Sequence, residues 1–248
     1  MRVLAPIALR LAIIALLSAS TGASGQVALA HAPPAQLAPL DPAADYVTAG
    51  QDEPGYRAWA TADPSRPPAV ASFYAYLVQR GVAGVLPTWQ LLRSASAWQR
   101  CGAQPFEVPP ETLWPNLIET LNYIHADVVP VVGPVEPVSV YRNPLLNACA
   151  GGAPESAHAQ LFAIDLVPLR PTEREGLVRS LCTIHQWRGT AYDVGLGFYK
   201  GLRFHVDSKK FREWGGDGRG DTSPCISIAV QLDPLAPAPA KPPGPPSP

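Results

Sequence analysis

An α+β fold, a small antiparallel sheet with flanking helices, is predicted by two features of this sequence. Apolar residues recur at helical spacing in the first half of the chain, and short strand-like runs suited to antiparallel pairing crowd the second. The size fits: 248 residues, 47% of them hydrophobic, suffice for one large core or for a core with a small N-terminal subdomain.

The elements follow in order. Residues 69–80 place Phe73, Tyr76 and Leu77 at helical spacing and stop at Gly81. Residues 88–100 read as a second helix with Trp89, Leu92 and Ala95 on one side. Residues 110–126 open on Pro and Glu and carry the stripe Leu113, Leu117, Leu121 and Ile124, a third helix. Strand-like runs follow at 128–132 and 138–141, then a short helix over 143–150 ending at Gly151-Gly152. A strand is expected at 163–169. An amphipathic helix over 171–187 begins with Pro171-Thr172-Glu173 and ends before Gly189. Strands are expected at 192–199 and 202–206, a short helix at 209–214 and a last strand at 226–232.

The ends have a different character. Arg2 and Arg10 flank an apolar run over 11–17, and small residues follow to Gly25, the pattern of a secretory signal over 1–25. The run is short for a membrane span, so cleavage without stable membrane insertion is expected. Residues 26–45 read as an Ala/Pro-rich linker, 46–127 as a helical N-terminal region and 128–233 as the sheet-bearing core. Residues 234–248 read as a disordered, Pro-rich tail. The net charge of −1 and the lack of a Lys/Arg cluster argue against a nucleic-acid partner. Nothing sets an oligomeric state. Four cysteines, Cys101, Cys149, Cys182 and Cys225, form an even set in an exported chain and predict two disulfides. Three pairings are open. Cys101–Cys149 with Cys182–Cys225 is preferred, although the spacing does not decide it.

Five histidines are present. His31 lies in the linker. His125 and His185 sit near the ends of expected helices, where surface or capping roles are usual. His158 and His205 each lie near a strand-like run with a carboxylate close by, Asp165 and Asp207. His205 and Asp207 share a face if their segment is a strand, because side chains alternate with period two. Two imidazoles and one carboxylate, His158, Asp165 and His205, make a three-ligand set that leaves one tetrahedral position open, as at a catalytic zinc. The spacing is equally compatible with unrelated structural residues.

Four motifs occur in a telling order: Ser139-Val140-Tyr141-Arg142-Asn143-Pro144; Asn147 with Gly151-Gly152-Ala153; Ser156-x-His158 to Asp165; and Gly195-x-Gly197-x-Tyr199 before Phe204-His205-Val206-Asp207. Together they resemble the zinc D-Ala-D-Ala carboxypeptidase family, in its periplasmic murein-peptidase branch, over about residues 130–215. The resemblance implies the α+β core shared with lysostaphin-type peptidases and the hedgehog signalling domain, here with an N-terminal helical extension. It implies a Zn2+ cofactor on His158, Asp165 and His205, with Arg142 and Ser156 contacting substrate. The implied substrate is a peptidoglycan stem peptide or cross-link, and the implied location is the periplasm of a Gram-negative bacterium. The alternative is an inactive peptidoglycan-binding module on the same fold. Leu161 stands where many members have Gly, and Leu202 where some branches place a catalytic Glu. The general base is therefore sought in Asp207 first and Asp193 second, either of which serves as base or orients a ligand.

Among other features, Arg219-Gly220-Asp221 reads as a chance tripeptide in a polar loop. The tryptophans at 89, 98, 114 and 187 read as core residues, and Trp214 is left as a groove candidate.

Overall fold

The computed structural model describes residues 43–228. The signal region, nearly all of the linker, the Pro-rich tail and most of the expected strand at 226–232 lie outside them. Asp52 caps the first helix, α1 (Glu53–Thr61), by accepting the Gly55 N–H at 2.9 Å, and Pro54 sits in its first turn. Only Trp59 is buried on α1, so there is no apolar stripe to announce this helix in the sequence. Helix α2 (Arg66–Gln79) begins at Pro67-Pro68 and buries Phe73 and Leu77, as its spacing predicts.

Residues 88–100 do not form the expected helix. A single 3-10 turn at Gln90–Leu92 is followed by extended chain and turns. Long-range pairing wins there: Ser94 N–H donates to Pro105, Glu107 N–H to Leu92 and Val140 N–H to Arg93, all backbone to backbone. Arg93 is buried in the same stretch. It donates to Gln51 O and Pro137 O and pairs with Glu136 at 2.6 Å.

The third helical stripe runs further than expected. A 3-10 segment (Glu111–Leu117) leads into α3 (Ile118–Tyr123), a π turn (Ile124–Val128) and α4 (Val129–Val132). The valine run at 128–132 is thus helical, not a strand. Leu117, Leu121, Ile124 and Val128 are fully buried at spacings of four, three and four, while Val131 is exposed. Burial therefore follows a helical period, and β-branching yields to it.

Strand β1 (Val135–Ser139) is followed by α5 (Pro144–Cys149), which Asn143 caps by accepting the Leu146 N–H. Then come β2 (Ala163–Pro168), α6 (Arg174–Arg188), β3 (Gly195–Phe198), β4 (Phe204–Asp207) and β5 (Arg212–Trp214). The sheet order is β1-β2-β4-β3-β5. The first four strands pair antiparallel, but β5 runs parallel to β3, so the sheet is mixed and not purely antiparallel. The segment 209–214, expected to be helical, supplies β5. Its Arg212 and Trp214 contact Asp207 and His205, while Glu213 between them faces His185 of α6. That is period two.

One face of the sheet presents Ile164, Leu166, Leu196, Phe198, Phe204 and Val206. These share a hydrophobic cluster with Phe73, Leu77, Leu117 and Leu121 of the helices. Each fully buried Leu or Phe contributes about 1.5–3 kcal/mol. The helical region and the sheet thus share one core. Two disulfides, Cys101–Cys149 and Cys182–Cys225, are formed, the preferred pairing. Among the described residues no helix is long and apolar enough to cross a membrane.

Candidate metal centre

The opposite face of the sheet is assembled by register. Ser139, Asp165, His205, Gly197 and Trp214 stand opposite one another across all five strands. The neighbouring row runs Ala163, Asp207, Gly195 and Arg212. A slip of one residue in any pair would turn these side chains to the other face. The glycines of β3 give the rows depth. A Cβ on Gly195 would lie 2.2 Å from Asp207 Oδ2, and one on Gly197 would lie 2.3 Å from the Trp214 ring. The Gly-x-Gly of the sequence is therefore space for the Asp207 carboxylate and the Trp214 indole.

His158 reaches the same point from a turn. Its N–H donates to Ser156 Oγ, and Phe162 N–H donates back to Ala157 O. Ser156 thus shapes the turn that carries His158, and that is the contact the structure gives this expected substrate residue. The turn passes through Leu161 at φ +59°. A β-carbon in this left-handed region costs roughly 1–2 kcal/mol. Leu161 is fully buried, so the side chain that strains the turn also anchors it in the core.

The candidate ligand atoms of His158, Asp165 and His205 lie within 4.8 Å of one another, and all three residues are buried. His158 Nδ1 is 2.6 Å from Val140 O, a contact that requires the proton on Nδ1 and leaves the Nε2 lone pair facing Asp165 Oδ1 at 3.2 Å. His205 Nε2 is 2.8 Å from Asp207 Oδ2, and its Nδ1 is 3.0 Å from Asp165 Oδ1. With the Nε2 proton given to Asp207, a second lone pair faces the same carboxylate oxygen. Arg142 already answers the first of these, with a terminal nitrogen 3.2 Å from His158 Nε2, and the second is relieved either by a second proton on His205 or by a bound cation. The donor set fits a metal ion, and these three residues can hold one.

The surrounding charges treat the two histidines differently. Burial and the neighbouring Arg142 push the His158 pKa down to about 4. Burial opposes charge on His205 too, but its hydrogen bonds to Asp165 and Asp207 outweigh this and raise its pKa. Asp165 is held well below the usual carboxylate range, against its burial, by His158 and Arg203. Its Oδ2 accepts from Arg142 at 2.7 Å and Arg203 at 2.5 Å, and Tyr199 donates to Oδ1 at 3.1 Å.

Asp207 does not occupy the position of a general base. It lies across the imidazole ring from the nitrogen that faces Asp165. It is fully buried and engaged by both Arg212 terminal nitrogens, at 3.1 and 2.8 Å, and by the Lys209 N–H at 2.9 Å. Its contact with the cluster is the hydrogen bond to His205 Nε2. Asp193 is exposed at φ +52° in the turn before β3, and shares no hydrogen bond or ion pair with the cluster. Leu202, where a Glu is found in some branches, donates its N–H to Tyr46 Oη.

Arg142 lies beside the cluster, with Nε on Ser139 Oγ and a terminal nitrogen 3.2 Å from His158 Nε2. Sequence reasoning missed Arg203, Tyr199 and Arg212. Arg203 was open to detection, because it lies two residues before His205 and so shares its face. Arg212 lies in the segment 209–214 that reads as a helix, so its place on a strand facing Asp207 was hidden. Trp214, left as a groove candidate, packs its ring 4.8 Å from His205. Trp187, expected in the core, is exposed. His185, expected at a surface or cap, is buried against Phe211 with Nε2 2.9 Å from Val194 O. No protein-family model, no curated protein and no solved structure matches this chain.

Proposed function

We propose that the chain is an exported zinc peptidase acting on the peptide part of peptidoglycan, stem peptide or cross-link, in the periplasm of a Gram-negative bacterium. The observation that carries this reading is the convergence of the His158, Asp165 and His205 ligand atoms within 4.8 Å of one another, buried beside the Arg142 guanidinium. Zinc bound by these three residues would supply a water of lowered pKa and polarise a peptide carbonyl. The remaining parts belong to the protein. Val140 O and Asp207 fix the tautomers of the two histidines, and Arg212 fixes Asp207. Arg142, held at Ser139 and Asp165, offers a planar donor to a substrate oxygen. The two disulfides fit an oxidising compartment.

One observation favours a second reading, a peptidoglycan-binding module that keeps the metal without cleaving. Among the described residues, no carboxylate lines the cavity beside the centre, and Asp207 is locked behind His205. Incubation of the purified protein with soluble peptidoglycan fragments separates the two. The first reading expects peptide products that disappear when chelator strips the metal and return when zinc is restored. Retention of the fragments with no product over long incubation establishes the second.

A further inference from the structure

A second cavity, of about 380 Å³, has Trp59, Arg66, Ala69, Gln104, Glu107 and Asn143 among its lining residues. That volume is in the range of small-ligand pockets, about 300–1,000 Å³. The chain itself links it to the metal centre. Arg142 lines the cavity beside the centre and donates to Asp165, and the next residue, Asn143, lines this one. Glu107 is its most telling group. Asn143 Nδ2 donates to Glu107 Oε2 at 2.8 Å. Among the described residues the other oxygen accepts no hydrogen bond, and no cation pairs with the carboxylate. Burial raises its pKa against the Asn143 hydrogen bond. Glu107 is thus a half-buried acceptor short of donors.

Both residues of that pair are held from behind. Asn143 is fixed because its Oδ1 accepts the Leu146 N–H at the start of α5. Glu107 is fixed because its N–H donates to Leu92 O at 2.9 Å, and Phe106 before it pairs with Arg93. Alternation along this extended stretch buries Phe106 completely and leaves Glu107 half-buried at the cavity. The other charges on the walls are spent locally. Arg66 donates to Trp59 O at 2.5 Å, and its guanidinium lies 4.8 Å from the Trp59 ring. Asp63 Oδ1 accepts from the Ser65 N–H and hydroxyl, at 2.9 and 2.7 Å. Ala69 and Val108 add apolar surface.

We propose that this cavity binds a neutral sugar of the glycan strand, with Glu107 accepting from its hydroxyls, and so seats the strand beside the metal centre. The inference rests on the proposed function for its substrate class. A carboxylate is an acceptor only, with about four lone-pair sites, so Glu107 has room for two hydroxyl donors beside the Asn143 amide. An anion is opposed by Glu107 and Asp63, and a cation by Arg66. A wholly apolar ligand would strip water from Glu107 with nothing in exchange. A sugar brings hydroxyl donors to Glu107, a C–H face to Ala69 and Val108, and an acetamido group to the exposed Gln104.

The test uses the full, zinc-loaded chain with two probes, the trimer of N-acetylglucosamine and a glycan-free, N-acetylated stem peptide. Sugar binding is followed by calorimetry and peptide product by chromatography. The trimer is expected to bind with a Kd of about 1 mM or tighter. Glu107→Gln keeps the shape of the side chain and should weaken binding about tenfold. Ala69→Trp, which fills the cavity from α2, should abolish it. Zinc content, the check on folding, and turnover of the glycan-free peptide should stay unaltered in both. No measurable binding of the trimer, or binding that either zinc-replete variant leaves intact, overturns the sugar site. Sugar binding lost in both variants, with no peptide product from any of the proteins, keeps the sugar site and removes the peptidase. Peptide product without sugar binding keeps the peptidase and removes the sugar site.

Discussion

The two faces of the central sheet are built from alternate residues of the same strands and are buried alike, yet they hold opposite chemistry. Toward the helices, β2, β3 and β4 present Ile164, Leu166, Leu196, Phe198, Phe204 and Val206. Toward the site, the intervening positions present Asp165, His205, Asp207 and two glycines. All six apolar residues are at most 2% exposed, and the three polar ones at most 4%. The apolar face is stabilised by leaving water. The polar face loses by leaving water and is offset only by a complete set of partners: two arginines and a tyrosine on Asp165, and an arginine and a backbone N–H on Asp207.

The sharpest break of this comparison substitutes neighbours on β2. Asp165→Ala leaves the Arg142 and Arg203 guanidiniums without their carboxylate, and breaking a buried pair of this kind costs about 3–5 kcal/mol. Metal content should fall to background. Leu166→Ala, one residue on, should cost a similar 2–5 kcal/mol through its cavity and still bind metal stoichiometrically. Denaturant midpoints and metal analysis of the two proteins check this. If both variants lost metal, the two faces would not be chemically separate.

A smaller effect is expected at Asp207. Asp207→Asn preserves size and weakens the grip on the His205 Nε2 proton, so metal affinity should fall about 10–100-fold. Undiminished affinity with lost activity would return Asp207 to the role of proton acceptor. The two roles were equally open in the sequence, because period two puts Asp207 and His205 on one face without saying which side of the ring the carboxylate meets. The ring orientation, and Arg212 arriving on a strand parallel to β3, decide it, and neither is local information.

The same distinction explains what was legible. The helix at α2 and strands β2 and β4 follow from local spacing, whereas the His/Asp/His set was singled out by the ordered motifs around it, since spacing alone left it open. Residues 88–100 and β5 do not follow from local spacing. The first is held extended by Pro105, Glu107 and Val140 backbone partners 11 to 47 residues away, and the second by a parallel neighbour. The stripe through 117–128 was legible but was cut short, because the valines after it suggest a strand. Arg203 was legible by period two, two residues before His205.

The faintest expected effect compares the histidines behind and before the sheet. His185 lies behind it, donating to Val194 O and stacked on Phe211, with Glu213 at 3.7 Å. Burial lowers its pKa despite the hydrogen bond and the nearby carboxylate, so the folded chain resists protonating it. Above the usual imidazole value of 6.5 the ring is neutral in both states and costs nothing. As pH falls below that, the unfolded chain takes up a proton that the folded chain refuses, and stability is lost until the lowered folded value is passed. His158 contributes a loss of the same sign in metal-free protein, so the informative quantity is a difference between two proteins. Subtracting the stability of His185→Gln from that of the wild type, at each pH between about 7 and 5, should give a curve that declines toward acid. Parallel curves would mean that His185 accepts its proton as readily inside the fold as outside it. The region behind the sheet would then be as permissive to charge as the site in front, where Asp165 and Asp207 raise the pKa of His205.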